Sequence, residues 1–228
     1  MSVSQRVTQN QCFIYLRKGK EETDMELLEE ILNQNNLNKA YKKVVANKGV
    51  AGVDGITVEE EFDYLKENKD RILNQLTKIK YTPPPVKRVQ IPKENGKMRN
   101  LGIPTVTDRI IQQAIFQVIS PIFEKQFNDN SFGFRPNRSC EQAVIRALEY
   151  LNDGYEWIVD IDLEKFFDTV NQDKLITIIG KTIKDGDVVS LIRKYLSAGV
   201  MEKGIVKPTY VGTPQGYRNF IIMESNMI

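Results

Sequence analysis

Three consecutive prolines, Pro83, Pro84 and Pro85, constrain this chain more than any other feature, because a helix cannot run through them and a central strand does not tolerate them. They separate a helical first part from a mixed remainder. Ahead of them, Met25, Leu27, Leu28, Ile31 and Leu32 fall at helical spacing, and after a break near residues 33–36 the pattern resumes with Ala40, Val44 and Val45. Gly49, Gly52 and Gly55 then form a tight loop without the Lys-Ser/Thr ending of a phosphate loop. Thr57 and Glu60 have capping-box spacing and open a stretch expected to hold two helices, reaching to about Ile79.

Beyond the prolines, residues 86–103 alternate and turn at Asn95-Gly96, which predicts a hairpin crowded with Lys87, Arg88, Lys93, Lys97 and Arg99. From Thr105 to about Phe127, Ile110, Ile111, Ala114, Ile115, Val118 and Ile119 describe a long amphipathic helix, which Pro121 is expected to bend. A loop follows, and Ser139 with Gln142 caps a helix through Tyr150. Residues 157–163 read as a strand, 174–183 and 188–196 as helices, and 204–216 as a strand entering a turn.

The composition narrows the chemistry. Histidine is absent, which removes Ser-His and Cys-His nucleophiles and the commonest metal ligand. Cys12 and Cys140 lie far apart and read as free thiols. What remains is carboxylates, Lys, Arg, backbone groups or a hard metal ion. Net charge is +2, yet residues 83–146 hold ten Lys/Arg against five Asp/Glu, a bias that suits a polyanion. No run approaches the roughly 18 apolar residues of a membrane span, and the first residues lack the apolar block of a signal peptide, so the expected compartment is cytoplasmic, with no membrane partner.

In the strand expected at 157–163, Trp157, Val159, Ile161 and Leu163 share one face, while Ile158, Asp160 and Asp162 share the other. Ionised carboxylates are costly to bury without a cation or donors. The pair therefore points to a metal or phosphate-metal site, or else to one Asp capping the next helix while the other meets solvent. Haloacid-dehalogenase-like phosphatases use Asp-x-Asp-x-Thr/Val here, and Glu164 breaks that pattern. In polymerases of the reverse-transcriptase kind, a strand Asp is followed five residues on by an aromatic and six on by another Asp; Asp162, Phe167 and Asp168 fit.

Four segments occur in order: VKRVQIPKENGKMRNLGIPTVTDRIIQQAI, FNDNSFGFRPNRSCEQAV, VDIDLEKFFDTVNQDKL and GTPQG. Together they resemble the successive motifs of bacterial group II intron-encoded reverse transcriptases, also called maturases, and NKGVAGVDGIT resembles that family's N-terminal extension. The likeness runs from about residue 25 to residue 216. It implies an α+β fold: an N-terminal tail (1–22), a helical extension (23–82), fingers (83–152), a partial palm of antiparallel strands packed on helices (153–216) and a non-family tail (217–228).

The resemblance also implies roles. Asp162 would be the first catalytic carboxylate, holding two Mg²⁺ ions with help from the Leu163 carbonyl. Phe167 would lie under the incoming sugar and favour deoxynucleotides. Lys93 and Arg109 resemble triphosphate clamps, and Gln215 lies near the nascent base pair. Arg88 and Arg99 are expected to share one face of the hairpin, contacting template or triphosphate; Arg135 and Arg138 resemble template phosphate contacts. Asp160 and Asp168 match no firm role. The implied partners are intron or template RNA, a DNA primer and a dNTP.

After GTPQG the family continues with a Ser-Pro-Leu-like helix and a Tyr-x-Asp-Asp strand, whereas this sequence reads YRNFIIMESNMI. A frameshift is the favoured reading, with an interrupted gene or an artificial cut as alternatives. On that reading the chain is a fragment that does not polymerise alone, and its unfinished palm favours self-association. A non-catalytic RNA-binding fragment, a phosphatase, and a retron-type or other bacterial reverse transcriptase are the competing readings.

Overall fold

The structure, a computed structural model, describes residues 27–92, 96, 98–163 and 165–213. Helix α1 (Leu27–Leu32) stops at Asn33, whose side chain caps α2 (Gln34–Ala46) by accepting from the Asn35 amide. The break expected near residues 33–36 is thus a cap. Thr57 and Glu60 exchange the reciprocal bonds of a capping box one turn ahead of α3 (Glu61–Thr77). A single helix stands where two were expected, because Leu65, Ile72 and Leu76 keep one buried stripe throughout.

After the prolines, β1 (Val86–Pro92) and β2 (Met98–Ile103) form the expected hairpin, with Gly96 at φ +75°; Asn95 lies outside the described residues. Next comes α4 (Val106–Glu124), capped by Thr105 through the Asp108 amide. Most of α4 is buried: it packs on α1, α2 and α3, and Ile110, Ile111, Ala114, Ile115 and Ile119 carry the core. Each of these isoleucines contributes about 1.5–3 kcal/mol. Asn36 reaches across to donate to the Ala114 carbonyl at 3.0 Å, and Gln117 returns a bond to the Asn36 side chain at 2.7 Å.

Helix α5 (Cys140–Asn152) carries the expected Ser139–Gln142 capping box. It buries no residue: Val144, Ile145, Leu148 and Leu151 all face solvent. A four-residue helix, α6 (Phe166–Thr169), precedes α7 (Gln172–Thr182) and α8 (Gly186–Leu196), which pack together. Two short strands end the described chain, β3 (Val200–Glu202) and β4 (Ile205–Lys207). They are joined by Lys203-Gly204, both at positive φ, as a tight two-residue hairpin turn requires.

The sheet order is β2-β1-β3-β4, with β1 and β3 parallel and the other pairs antiparallel. The two strands of the expected palm, β3 and β4, pair antiparallel as expected, and the parallel pair joins the fingers hairpin to them. The strand expected at 157–163 is corrected: these residues adopt no regular structure, and Trp157 is 93% and Ile158 81% exposed. A strand needs a neighbour for its amides and carbonyls, and none of the four described strands lies beside this segment. Among the described residues no helix is long and apolar enough to cross a membrane.

Candidate active site

The Asp162 corner is built from a turn, not a strand end. Leu163 accepts from the Phe166 amide at 3.3 Å, Lys165 takes a left-handed φ of +52°, and α6 carries Phe167 half-buried beside Phe166, ring centroids 5.8 Å apart. Asp160, Asp162 and Asp168 are exposed. The Asp162 carboxylate and the Leu163 carbonyl are hard oxygen donors of the kind Mg²⁺ takes, but fall short of the roughly six ligands it needs. Among the described residues no cluster of three or more His, Cys, Asp or Glu could hold a metal.

What locks this corner comes from far along the chain. Gly212 donates to the Val170 carbonyl at 2.8 Å and Thr213 to the Phe167 carbonyl at 2.7 Å. A Cβ on Gly212, which has φ +80°, would lie 2.8 Å from the Phe167 oxygen and 2.7 Å from that of Asp168. Gln172 bridges the carbonyls of Gly212 and Leu196. The start of GTPQG is thereby brought onto the Phe-Phe-Asp corner. Gln215 itself lies outside the described residues, as does Lys93. No role for Gly212 was expected from the sequence; its place at the head of Gly-Thr-Pro-Gln-Gly was the available signal.

The arginines expected to meet nucleotide or template are divided between faces or engaged within the chain. In the hairpin, Arg88 pairs with Gly102 while Arg99 pairs with Ile91. Side chains alternate along a strand, so this register puts Arg88 and Arg99 on opposite faces, with Lys87 on the Arg99 side. Arg88 lies close enough to Glu202 to help hold that carboxyl below its ordinary range, after the larger effect of Lys207.

Arg109 is half-buried and partly engaged within the chain. Its Nη2 donates to the Val50 carbonyl at 2.6 Å, its Nη1 would meet a Cβ on Gly49 at 2.1 Å, and its buried Nε has no acceptor. Gly49 and Val50 at the start of the glycine loop lie against it, and burial pulls its pKa down despite nearby Glu61 and Asp54. Arg135 is also turned inward. Its side chain is 4% exposed, ion-paired to Glu124 at 2.7 Å, and bonded to the carbonyls of Asn128 and Ser131 at 2.7 Å each. It staples the loop, leaving its charge spent internally. Arg138 remains partly open, over the Phe132 ring and in a 3.4 Å contact with exposed Asp129.

Behind Arg109 lies a buried acidic network that the sequence reading did not single out. Tyr81, Tyr195 and Thr105 hydroxyls all donate to Asp108, which is 1% exposed. Burial pushes its carboxyl up to about 6, against the pull of those bonds. Glu61 is wholly buried, accepts from the Thr107 hydroxyl at 2.7 Å, and is pushed by burial to about 7. The Thr105-x-x-Asp108 spacing was the legible hint of this structural brace.

The profile of the reverse transcriptase (RNA-dependent DNA polymerase) family matches residues 91–220, more than half of the chain. The chain belongs to that family. It is 36% identical over 217 residues to the group II intron-encoded protein LtrA of Lactococcus lactis subsp. cremoris, covering 95% of this chain and 35% of that protein. It is 35% identical over 196 residues to protein YkfC of Escherichia coli K12, covering 83% of this chain and 51% of that one. The chain thus spans about a third to a half of these two relatives. A solved structure titled as a partial Cas6-RT-Cas1--Cas2 complex superimposes with a TM-score of 0.57 at 21% identity, covering 91% of this chain and 36% of that chain, a likeness of fold.

Proposed function

We propose that this chain is the fingers and first palm portion of a group II intron-type reverse transcriptase, which copies RNA into DNA and binds intron RNA. The observation that carries the reading is the meeting of Gly212 and Thr213 with the Phe167 carbonyl, which joins two family motifs about 45 residues apart. Asp162 and the Leu163 carbonyl would hold Mg²⁺, whose chemistry is to activate a primer hydroxyl and steady the triphosphate. Phe167 is the sugar gate. Lys93, Arg99, Arg88 and Gln215 serve nucleotide and template, and Arg138 contacts a phosphate; Arg109 and Arg135 act as internal braces.

These 228 residues include no Tyr-x-Asp-Asp sequence. One carboxylate-bearing segment supplies at most half of a two-ion cage. With Mg²⁺, poly(rA), oligo(dT) and dTTP, the purified chain gives no extension. Adding a separate polypeptide that carries the relatives' Tyr-x-Asp-Asp segment restores extension, and Asp162→Asn abolishes the restored activity. Extension that survives Asp162→Asn would remove Asp162 from the mechanism.

RNA binding is a separable part of the reading. Affinity for single-stranded RNA falls steeply with salt, as phosphate contacts demand, and is unchanged in Asp162→Ala. A flat salt profile counts against it.

A further inference from the structure

The loop between α4 and α5 contains three phenylalanines, and two are covered by arginines. The Arg135 guanidinium lies 4.9 Å from the centre of the Phe127 ring and that of Arg138 5.6 Å from Phe132. Phe134 differs: it is 71% exposed and its φ is +57°. That left-handed backbone is a genuine outlier for a bulky side chain. A glycine stands immediately before it, at Gly133, yet the aromatic residue occupies the disfavoured conformation.

Buried Arg135 over-determines this arrangement. Its bonds to Glu124, Asn128 and Ser131 fix the residue next to Phe134. The loop therefore holds a bare ring in water at two costs, an exposed apolar surface and a strained backbone. Strain of this sort persists where surrounding contacts enforce it, and it concentrates at ligand clamps. The loop's other exposed residues are polar or small, among them Asn128, Asp129, Asn130 and Asn137. Within the loop Phe134 is the one exposed aromatic ring, and a single ring among polar neighbours suits a flat ligand.

We infer that Phe134 is a stacking platform for an unpaired base of single-stranded RNA, whose backbone passes the partly open Arg138. Every base offers a π-face, so this contact holds RNA without selecting its sequence. The inference rests on the reverse-transcriptase reading and adds to it a base-contacting residue.

The test uses the whole chain and a 12-nucleotide unpaired RNA, followed by fluorescence anisotropy. Phe134→Ala weakens binding about tenfold with the salt slope unchanged, because stacking releases no counterions. Phe134→Trp retains affinity. In the Trp157→Phe background, which removes the single native tryptophan, its emission responds to RNA. Phe134→Gly also loses affinity, yet is at least as heat-stable as the parent, since glycine accepts the positive φ. A merely structural role would move stability and binding together.

If the parent binds RNA with a steep salt slope and Phe134→Ala binds equally well, this inference falls and the broader reading stands. If the parent does not bind RNA, both fall. If Phe134→Ala changes only self-association in sedimentation, the ring is a protein contact and the inference is overturned.

Discussion

The Thr213 amide donates to the Phe167 carbonyl at 2.7 Å, so the residue proposed to meet the sugar is set by a turn more than 40 positions later. Gly212 makes that approach possible, at φ +80° and with main-chain oxygens of Phe167 and Asp168 where a side chain would begin. Gly212→Ala is expected to cost about 1–3 kcal/mol from the positive φ and the close oxygens. Urea denaturation reads the loss. An unchanged midpoint would show that the turn does not lock the corner.

Stability should fall as pH rises, with a definite sign and window. The folded Glu61 carboxyl is raised from 4.5 to about 7, so between those values the folded chain holds more protons than the unfolded one. Stability is therefore highest at the acidic end of this window, declines toward pH 7, and levels off above it. Asp108, raised from 3.8 to about 6, adds to the lower part of the decline. Glu61→Gln keeps an acceptor for Thr107 and removes the upper part, making the variant more stable at pH 8 by about 1–3 kcal/mol. Parallel pH profiles for parent and variant would contradict this.

Arg135→Ala strands Glu124 and two loop carbonyls. Removing one partner of a buried ion pair costs about 3–5 kcal/mol, with the lower end expected here because Glu124 is partly exposed. Limited proteolysis then cuts within residues 128–138 before it cuts elsewhere. If its main service were to a phosphate, the variant would lose RNA affinity while keeping its melting temperature.

The solvent-facing Val144, Ile145, Leu148 and Leu151 of α5 and the exposed segment around Trp157 predict concentration-dependent self-association. Trp157 emission shifts to the blue between low and tens-of-micromolar concentrations as its ring leaves water. Ile145→Lys with Leu148→Lys lowers the association. A monomer across that range in sedimentation velocity would rule it out.

Local rules made much of the chain legible. Ser139 and Gln142 announce a cap by spacing alone, the hairpin follows from alternation and its turn, and α4 from a dense apolar stripe. The Phe-Phe-Asp corner could be singled out because Asp162, Phe167 and Asp168 have the interval expected of a reverse-transcriptase motif. What escaped depends on tertiary placement. Whether Arg109 faces a ligand or a glycine loop is decided by residues 60 positions away, and the Arg135 fate is decided by how its loop folds back on Glu124. The hairpin faces of Arg88 and Arg99 depend on a register that the intervening turn sets. Residues 157–163 have strand composition, but composition does not supply a neighbour.

The parallel pairing of Val86 with Val200 has a temporal side. On a ribosome adding roughly 5–20 residues per second, β1 emerges several seconds or more before β3 exists. Throughout that interval the hairpin keeps an unpaired edge, and it gains its third strand only after α4, α7 and α8 are made. Such late, long-range closure makes assembly slow for a chain so rich in helix. It also leaves the β1 edge of the hairpin without its partner until β3 arrives.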